Sequence, residues 1–197
     1  MNICRPEGAR GMMRIVVGVS GSSGQIYAFR LMQVLAADPE VETHLIVTGG
    51  ARTCIEQETD FAVADLEAMA DCVYDESDMA ARISSGSFKT EGMIVIPCSM
   101  KTASAIANSY ADNLLSRAAD VVLKERRKLV VVPRETPLHS GHLRNLLQLS
   151  DLGAVILPPV PAFYHRPRTL DDVIDHTVGK VLDQFGIEHQ LFRRWGS

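Results

Sequence analysis

A short run of glycines and serines, Gly21-Ser22-Ser23-Gly24, offers backbone and hydroxyl donors that could bind a phosphate. It follows a β-branched run and precedes apolar residues at helical spacing, so it is predicted to join a strand to a helix. The N–H groups and the dipole at a helix start favour an anion. The same residues could equally form an ordinary serine-capped helix start after a tight turn.

The glycine spacing narrows the kind of phosphate ligand. Gly18, Gly21 and Gly24 do not form the dinucleotide fingerprint, and no P-loop signature occurs. The second predicted strand ends at Thr48, where a dinucleotide-binding enzyme would carry an acid for the ribose hydroxyls. These features favour a mononucleotide over a dinucleotide.

Two further strand ends carry polar side chains. Ser99 and Thr102 lie three positions apart at a predicted helix start, so both hydroxyls could face one anion or could simply cap the helix. Arg134 and Glu135 leave another strand between two prolines. An arginine held there suits a phosphate, although a surface ion pair is the alternative.

Other candidates lie on helices and in a proline-rich segment. Arg117 and Lys124 are two turns apart in one predicted helix and could reach a second anion together. Tyr164 lies in a proline-stiffened segment, where its phenol could bind an oxyanion or merely pack. His139 and His142 have no evident third ligand, so no metal site is predicted.

The elements that must position these residues alternate along the chain. Helical apolar spacing separates five β-branched runs, at residues 15 to 20, 43 to 48, 93 to 97, 129 to 133 and 154 to 158. This alternation predicts an α/β fold, a three-layer sandwich with a parallel sheet of the Rossmann-like or flavodoxin-like kind. Ligands of such sheets bind beyond the carboxyl ends of the strands, so the polar strand ends should share one crevice.

Composition limits the classes of protein. A chain of 197 residues with 46% hydrophobic residues fits one domain, predicted over residues 13 to 197, after a disordered leader at residues 1 to 12. The net charge of -4 disfavours nucleic acid and anionic membranes. No apolar run approaches the roughly 20 residues of a membrane span. Four scattered cysteines indicate a reduced, cytoplasmic protein.

Five motifs occur together and in a characteristic order. They are Gly-Val-Ser-Gly-Ser-Ser-Gly (18 to 24), Pro-Cys-Ser-Met-Lys-Thr (97 to 102), Asp-Asn-Leu-Leu-Ser-Arg-Ala-Ala-Asp-Val-Val-Leu-Lys-Glu-Arg-Arg (112 to 127), Pro-Arg-Glu-Thr-Pro-Leu (133 to 138) and Pro-Ala-Phe-Tyr-His-Arg-Pro (161 to 167). As a set they resemble the UbiX-type flavin prenyltransferases over residues 13 to 185. Members similar to this chain have often been labelled subunits of phenolic or phenylacrylic acid decarboxylases.

The resemblance implies a role for each matching position. FMN would contact Gly21, Ser22, Ser23, Thr48, Ser99, Met100, Lys101, Thr102 and Arg134. Dimethylallyl phosphate would contact Tyr164 and Lys180, with Arg117, Lys124, Arg134 and Glu135 completing the phosphate environment. Ser23 and Glu58 would handle protons. The family forms large homo-oligomers, typically dodecamers, in which several of these residues come from neighbouring subunits.

The implied reaction joins a dimethylallyl group to N5 and C6 of reduced FMN, and the prenylated FMN is delivered to a UbiD-type aromatic acid decarboxylase. One alternative is an FMN-dependent cysteine decarboxylase, although a Pro-Ala-Ser-Ala-Asn-Thr-like segment would be expected where this chain has residues 97 to 102. Another is a non-catalytic flavin carrier subunit of a hydroxyaromatic acid decarboxylase. The third is direct decarboxylation by the chain itself, for which no dedicated acid or base is evident.

Overall fold

The computed structural model describes residues 3–4 and 13–196. The predicted disordered leader therefore lies outside the described residues, apart from Ile3 and Cys4. These two residues form a short strand of the main sheet, so the leader prediction does not hold for them.

In the described part of the chain, one seven-stranded sheet forms the centre. Its strands are β1 (Ile3–Cys4), β2 (Met13–Val19), β3 (Val41–Val47), β4 (Cys72–Tyr74), β5 (Gly92–Cys98), β6 (Lys128–Pro133) and β7 (Val155–Ile156). They lie in the order β1-β4-β3-β2-β5-β6-β7, with β2 to β7 parallel and β1 antiparallel to β4. The predicted parallel sheet is confirmed, whereas β1 and β4 were not predicted.

Within the described residues 3–4 and 13–196, seven α-helices cover the two faces of this sheet. They are α1 (Ile26–Ala37), α2 (Gly49–Glu58), α3 (Val63–Ala68), α4 (Met100–Ala107), α5 (Leu114–Lys124), α6 (Ser140–Asp151) and α7 (Leu170–Phe185). Buried residues of α1, α2, α3 and α7 share one hydrophobic cluster, and those of α4, α5 and α6 share the other. This arrangement is the predicted three-layer sandwich.

The strands are apolar runs because both faces of the sheet are covered. In β2, Ile15 and Val17 belong to the cluster beneath α1 and α7, whereas Val16 belongs to the cluster beneath α4 and α5. Alternate side chains point to opposite faces, so each face requires its own apolar set. From β2, the strands β3 and β4 are added on one side of the sheet, whereas β5, β6 and β7 are added on the other. Sheets of this kind open a crevice at such a switch point, here between β2 and β5.

Two of the four cysteines are bonded to each other. Cys4 and Cys72 form a disulfide between β1 and β4, whereas Cys54 and Cys98 are free. The sequence analysis did not predict this bond, because the two residues meet only through the pairing of β1 with β4, which the sequence pattern did not reveal. Among the described residues, no helix combines the length and the apolar character needed to cross a membrane.

Candidate functional site

Ser20 ties together the two strand ends that flank the crevice. It is buried at the end of β2, and its hydroxyl donates to the carbonyl of Pro97 at 3.0 Å and accepts from the N–H of Ser99 at 2.8 Å. Pro97 lies near the end of β5, and Ser99 directly follows that strand. The turn after β2, residues 20 to 24, is therefore fixed to the start of α4.

The side chain of Gln25 stabilises the same turn. Its buried amide nitrogen donates to the carbonyls of Ser20 at 3.0 Å and Ser22 at 2.7 Å. Gln25 is the N-cap of α1, but its side chain caps nothing, and its Oε1 is buried without a partner. The serine-capped helix start is thus the wrong interpretation of this turn, which leaves its serines for other contacts.

The start of α2 lies directly against the turn. A Cβ added to Gly21 would stand 2.8 Å from the carbonyl carbon of Gly50, a distance that side chains do not tolerate. Gly24 has φ +94°, a left-handed conformation that favours glycine. Glycine is therefore required at the two positions for different reasons. At Gly21 the reason is the close approach of another backbone segment, and at Gly24 it is the backbone angle φ.

Ser22, Arg134 and Glu58 converge on this turn from three different elements. The Ser22 hydroxyl donates to the backbone carbonyl of Arg134 at 2.8 Å, and Arg134 Nε donates to the carbonyl of Ser23 at 3.2 Å. Glu58, the last residue of α2, accepts the N–H of Gly24 at 2.8 Å. Arg134 is thus held at the crevice and does not form the alternative surface ion pair with Glu135, which accepts from the N–H of Thr136.

Helix capping explains two of the predicted hydroxyl sites. Ser99 is the N-cap of α4, where it accepts from the N–H of Thr102 and donates to the Thr102 hydroxyl at 3.1 Å. Thr48 is the N-cap of α2 and accepts from the N–H of Ala51. Both caps still place helix N-termini, with their positive dipole ends, beside the crevice. Met100 and Lys101 form the first turn of α4, and Lys101 pairs with Asp112 at 3.4 Å.

A cavity of about 440 Å³ opens beside this turn. It is lined by Ser23, Gly24, Tyr27, Arg134 and Glu135, together with residues 158 to 161. Burial raises the pKa of the Tyr27 phenol, so this wall residue is a neutral donor near pH 7. The cavity lies within the size range of small-ligand sites.

Arg117 and Lys124 lie elsewhere in the single chain. Arg117 donates to the carbonyl of Ser84 at 3.1 Å and pairs with Asp120 at 2.7 Å. Lys124 pairs with its neighbour Glu125, beside Gly86. Their described contacts are with the segment at residues 84 to 86 and not with the turn after β2.

Tyr164 and Lys180 form a third group around α7. The Tyr164 hydroxyl is 3.1 Å from Nε2 of His176, which lies one turn before Lys180 on the same helix. Lys180 pairs with Asp183, and a hydrogen bond from Arg194, with support from Lys180 and His189, lowers the pKa of Asp183 to about 2. Tyr164 also lines a cavity of about 570 Å³ together with Arg193, Arg194 and Trp195.

The structure adds site residues that the sequence did not indicate. Ser20 and Gln25 set the shape of the turn, and Tyr27 lines the cavity. One sequence feature could have indicated the first two: Ser20 and Gln25 are polar residues that flank the glycine-serine run between an apolar strand and an apolar helix. His176 stands among apolar residues of α7, so its sequence position did not mark it as a site residue. Its contact with the Tyr164 hydroxyl identifies it in the structure.

The crevice has the donors that a mononucleotide requires. Residues 20 to 24 and the N-termini of α2 and α4 meet at the carboxyl edge, and the unpartnered buried Oε1 of Gln25 is adjacent to this turn. No side chain could replace Gly21 without moving the backbone of Gly50. These features fit the phosphate tail of a flavin mononucleotide.

Comparisons with known proteins agree on one family. Residues 4–182 match the family model described as Flavoprotein. The chain is 58% identical over 186 residues to the flavin prenyltransferase UbiX of Escherichia coli strain K12, spanning 93% of this chain and 98% of that relative.

Two crystal structures are similar along nearly the whole chain. One is the dodecameric FMN-dependent UbiX-like decarboxylase from Escherichia coli O157:H7, with TM-score 0.92 and 54% identity over 94% of this chain and 100% of that one. The other is AnUbiX (PadA1) in complex with FMN and dimethylallyl pyrophosphate, with TM-score 0.91 and 48% identity over 94% of this chain and 98% of that one.

Proposed function

We propose, on the premise that this chain belongs to the Flavoprotein family and within it to the UbiX-type flavin prenyltransferases, that it joins the dimethylallyl group of dimethylallyl phosphate to reduced FMN. The observation that carries the proposal is the convergence of Glu58, Arg134 and the turn at residues 20 to 24 on one crevice. Three elements distant in sequence meet there at the switch point of the sheet.

Reduced FMN, when bound, supplies the nucleophile, bonding to the prenyl group at N5 and C6 as phosphate departs. The chain's own part is to orient the two reactants and to exclude water. The backbone N–H groups of the turn and of α4, together with Arg134, suit the FMN phosphate. The Ser22 hydroxyl fixes the main chain of Arg134, and the carbonyl of Ser23 fixes its guanidinium.

Ser23 and Glu58 are the proposed proton handlers. Ring closure releases a proton, and Glu58 is an exposed carboxylate whose Oε2 lies 2.8 Å from the N–H of Gly24. This bond fixes the carboxylate next to Ser23 while leaving its second oxygen available to accept a proton.

The departing phosphate needs more cations than the crevice of one chain provides. Arg117 and Lys124, and separately Tyr164 and Lys180, lie in two groups apart from the turn. We propose that neighbouring copies in a homo-oligomer, expected to be a dodecamer, bring these groups to the crevice. The UbiX-like decarboxylase structure with 54% identity is itself dodecameric.

The product of this reaction is a modified flavin, which has value only to a second enzyme. We propose that it serves a UbiD-type decarboxylase of aromatic acids, and that the enzyme acts in the cytoplasm, where a reduced flavin can persist. Decarboxylation of a hydroxyaromatic acid in cell extracts should then require both proteins, whereas activity of this chain alone on such acids would contradict the proposal.

The decisive experiment is anaerobic incubation of the purified oligomer with reduced FMN and dimethylallyl phosphate. Mass spectrometry should show a flavin heavier by one five-carbon prenyl unit. Arg134→Ala should bind FMN at least tenfold more weakly, because the guanidinium and its tie to Ser23 are lost. Arg144→Ala, which removes an exposed arginine of α6, should leave FMN affinity unchanged.

Two other outcomes would support the alternative functions. Tight FMN binding without any prenylated product would indicate a flavin carrier subunit. Oxidative decarboxylation of a peptidyl cysteine with reduction of FMN would indicate a cysteine decarboxylase. Failure to bind FMN at all would remove the flavin-based function altogether.

A further inference from the structure

A second polar cluster lies where β2, β3 and β4 are neighbours in the sheet, and none of its members lines the cavity beside the turn after β2. It comprises residues of these strands and of β1, together with the segment that follows β4. We call it the basal cluster, and its members are Arg14, Glu42, His44, Tyr74, Arg82 and the Cys4–Cys72 disulfide. None of these residues takes part in the proposed prenyl transfer.

The disulfide holds a strand that has little else to hold it. β1 has two residues, Ile3 and Cys4, which pair with Val73 and Cys72 of β4. A ladder of two residues is too short to be stable by itself. Because Cys4 and Cys72 are directly opposite in this ladder and 68 positions apart in sequence, their bond closes a long loop of the chain.

The surroundings of the two sulfurs favour thiol–disulfide exchange. One Arg82 nitrogen lies 3.3 Å from Sγ of Cys4 and 3.8 Å from Sγ of Cys72. A guanidinium at that distance stabilises a thiolate, the form that attacks and the form that leaves. Phe88 contacts the guanidinium groups of both Arg82 and Arg14, at 5.2 and 5.1 Å from the ring centre, which limits their movement.

The two free cysteines have different surroundings. Burial raises the pKa of Cys98 to about 12, and burial together with Glu58 also raises the pKa of Cys54. Neither thiol is predisposed to ionise near neutral pH. Reactivity is therefore expected at the pair beside Arg82.

We propose that Cys4 and Cys72 form a reversible redox clasp that a low-molecular-weight disulfide such as glutathione disulfide closes and a dithiol opens. In closing, one cysteine thiolate attacks glutathione disulfide, forms a mixed disulfide and releases one glutathione. The second cysteine then attacks the protein sulfur of that mixed disulfide and releases another glutathione. Two protein thiols are oxidised, one glutathione disulfide is reduced, and the two thiol protons pass to the released glutathiones.

The closed clasp fixes β1 on the edge of β4, whereas the open clasp leaves that edge covered only by a two-residue ladder. An edge strand with unpaired backbone groups is accessible to proteases and to other chains. Because neither cysteine of the clasp lines the cavity beside the turn, we expect redox state to change stability and susceptibility to proteolysis, with FMN affinity unchanged.

Counting thiols across glutathione redox buffers tests the proposal. The purified oligomer is equilibrated, quenched, unfolded and alkylated, and mass spectrometry counts the alkyl groups. Since the sequence has four cysteines and two are free in the closed form, we expect two labels in oxidising buffer and four in reducing buffer, with a reversible transition. Opening should lower the melting temperature by roughly 5 °C or more.

Matched variants separate the clasp from general redox effects. Cys72→Ser should abolish the shift in melting temperature between the two buffers, whereas Cys54→Ser should retain it. Arg82→Met should slow closure by glutathione disulfide several-fold, and Arg82→Lys should restore most of the rate because the cation is kept. A rate in Arg82→Met equal to that of the unaltered protein would show that the guanidinium does not activate the pair.

Two results would overturn the proposal outright. One is labelling of all four cysteines even in fully oxidising buffer. The other is retention of one zinc per chain that is lost in Cys72→Ser, since sulfur, imidazole and carboxylate ligand atoms of Cys72, His44 and Glu42 all lie within 4.8 Å of one another. In that case the cysteines would serve as metal ligands instead of as a clasp.

Discussion

The crevice and the basal cluster are built on the same sheet, and they use polar groups in different ways. At the crevice most contacts run between a side chain and the backbone, as with Ser22 to Arg134 and Glu58 to Gly24. In the basal cluster side chains bond to one another, as with His44 to Tyr74 at 2.9 Å and to Glu42 at 3.0 Å. The crevice thereby fixes its main chain and leaves donors available for a ligand.

Burial accounts for much of this difference. His44 is fully buried in the sheet, so each of its ring nitrogens needs a partner within the protein. Glu58 is exposed and Ser22 is only half-buried, so water or a ligand can complete their bonding. We therefore expect changes in the basal cluster to alter stability, and changes at the crevice to alter binding.

The largest effect is expected from His44→Ala. It leaves a cavity and removes one hydrogen-bond partner from each of Glu42 and Tyr74, at a cost of about 3 kcal/mol in the free energy of unfolding. Urea unfolding monitored by circular dichroism measures this loss. FMN affinity should stay the same, and a tenfold weaker affinity in the folded variant would show that the basal cluster and the crevice are coupled.

A smaller effect is expected from pH. Burial lowers the pKa of His44 from its ordinary 6.5 to about 4, although Glu42 opposes the shift. Between these values the unfolded chain binds a proton that the folded chain does not, so stability present above pH 6.5 is lost as pH falls towards 4. Between pH 7 and pH 5 the loss from His44 should be about 2 kcal/mol.

Urea unfolding at the two pH values checks this expectation, with His44→Gln as the control. Glutamine does not titrate, so the difference between pH 7 and pH 5 should shrink by the contribution of His44. An unchanged pH dependence in this variant would mean that other groups, such as His176, whose pKa burial also lowers, account for the loss.

The smallest effect is expected from Ser22→Ala at the crevice. The variant loses one hydrogen bond to the Arg134 carbonyl, which corresponds to about 1 kcal/mol, or roughly fivefold in the FMN dissociation constant. Fluorescence titration with FMN measures it. Ser150→Ala, at an exposed serine in the last turn of α6, should not weaken FMN binding, and equal weakening in both variants would contradict the role of Ser22.

The sequence predicted the crevice better than the basal cluster because the two depend on different information. Strands β2, β5 and β6 are mostly apolar runs and β3 ends in one, and their polar ends follow them directly in sequence, so the carboxyl edge could be identified from order alone. β4 has three residues, Cys72–Tyr74, and β1 has two, too few for a period to show. The meeting of Cys4 with Cys72 depends on that unpredicted pairing.

Individual side chains at the crevice were harder to predict than the crevice itself. Ser99 and Thr48 were candidates for anion contacts, and in the structure their hydroxyls cap helices. Glu58 was identified through the resemblance alone, because nothing in its spacing links it to Gly24. The proposed contacts of Arg117, Lys124, Tyr164 and Lys180 with the phosphate of the prenyl donor stay predictions, which an assembled oligomer would test.

The backbone contact between Gly21 and Gly50 has a consequence for selectivity. The turn and the first residues of α2 touch here through main-chain atoms, so no change of side-chain rotamer can move them apart. We therefore expect the site to select ligands by shape. An analogue with one extra substituent on that side should clash with backbone that cannot move away.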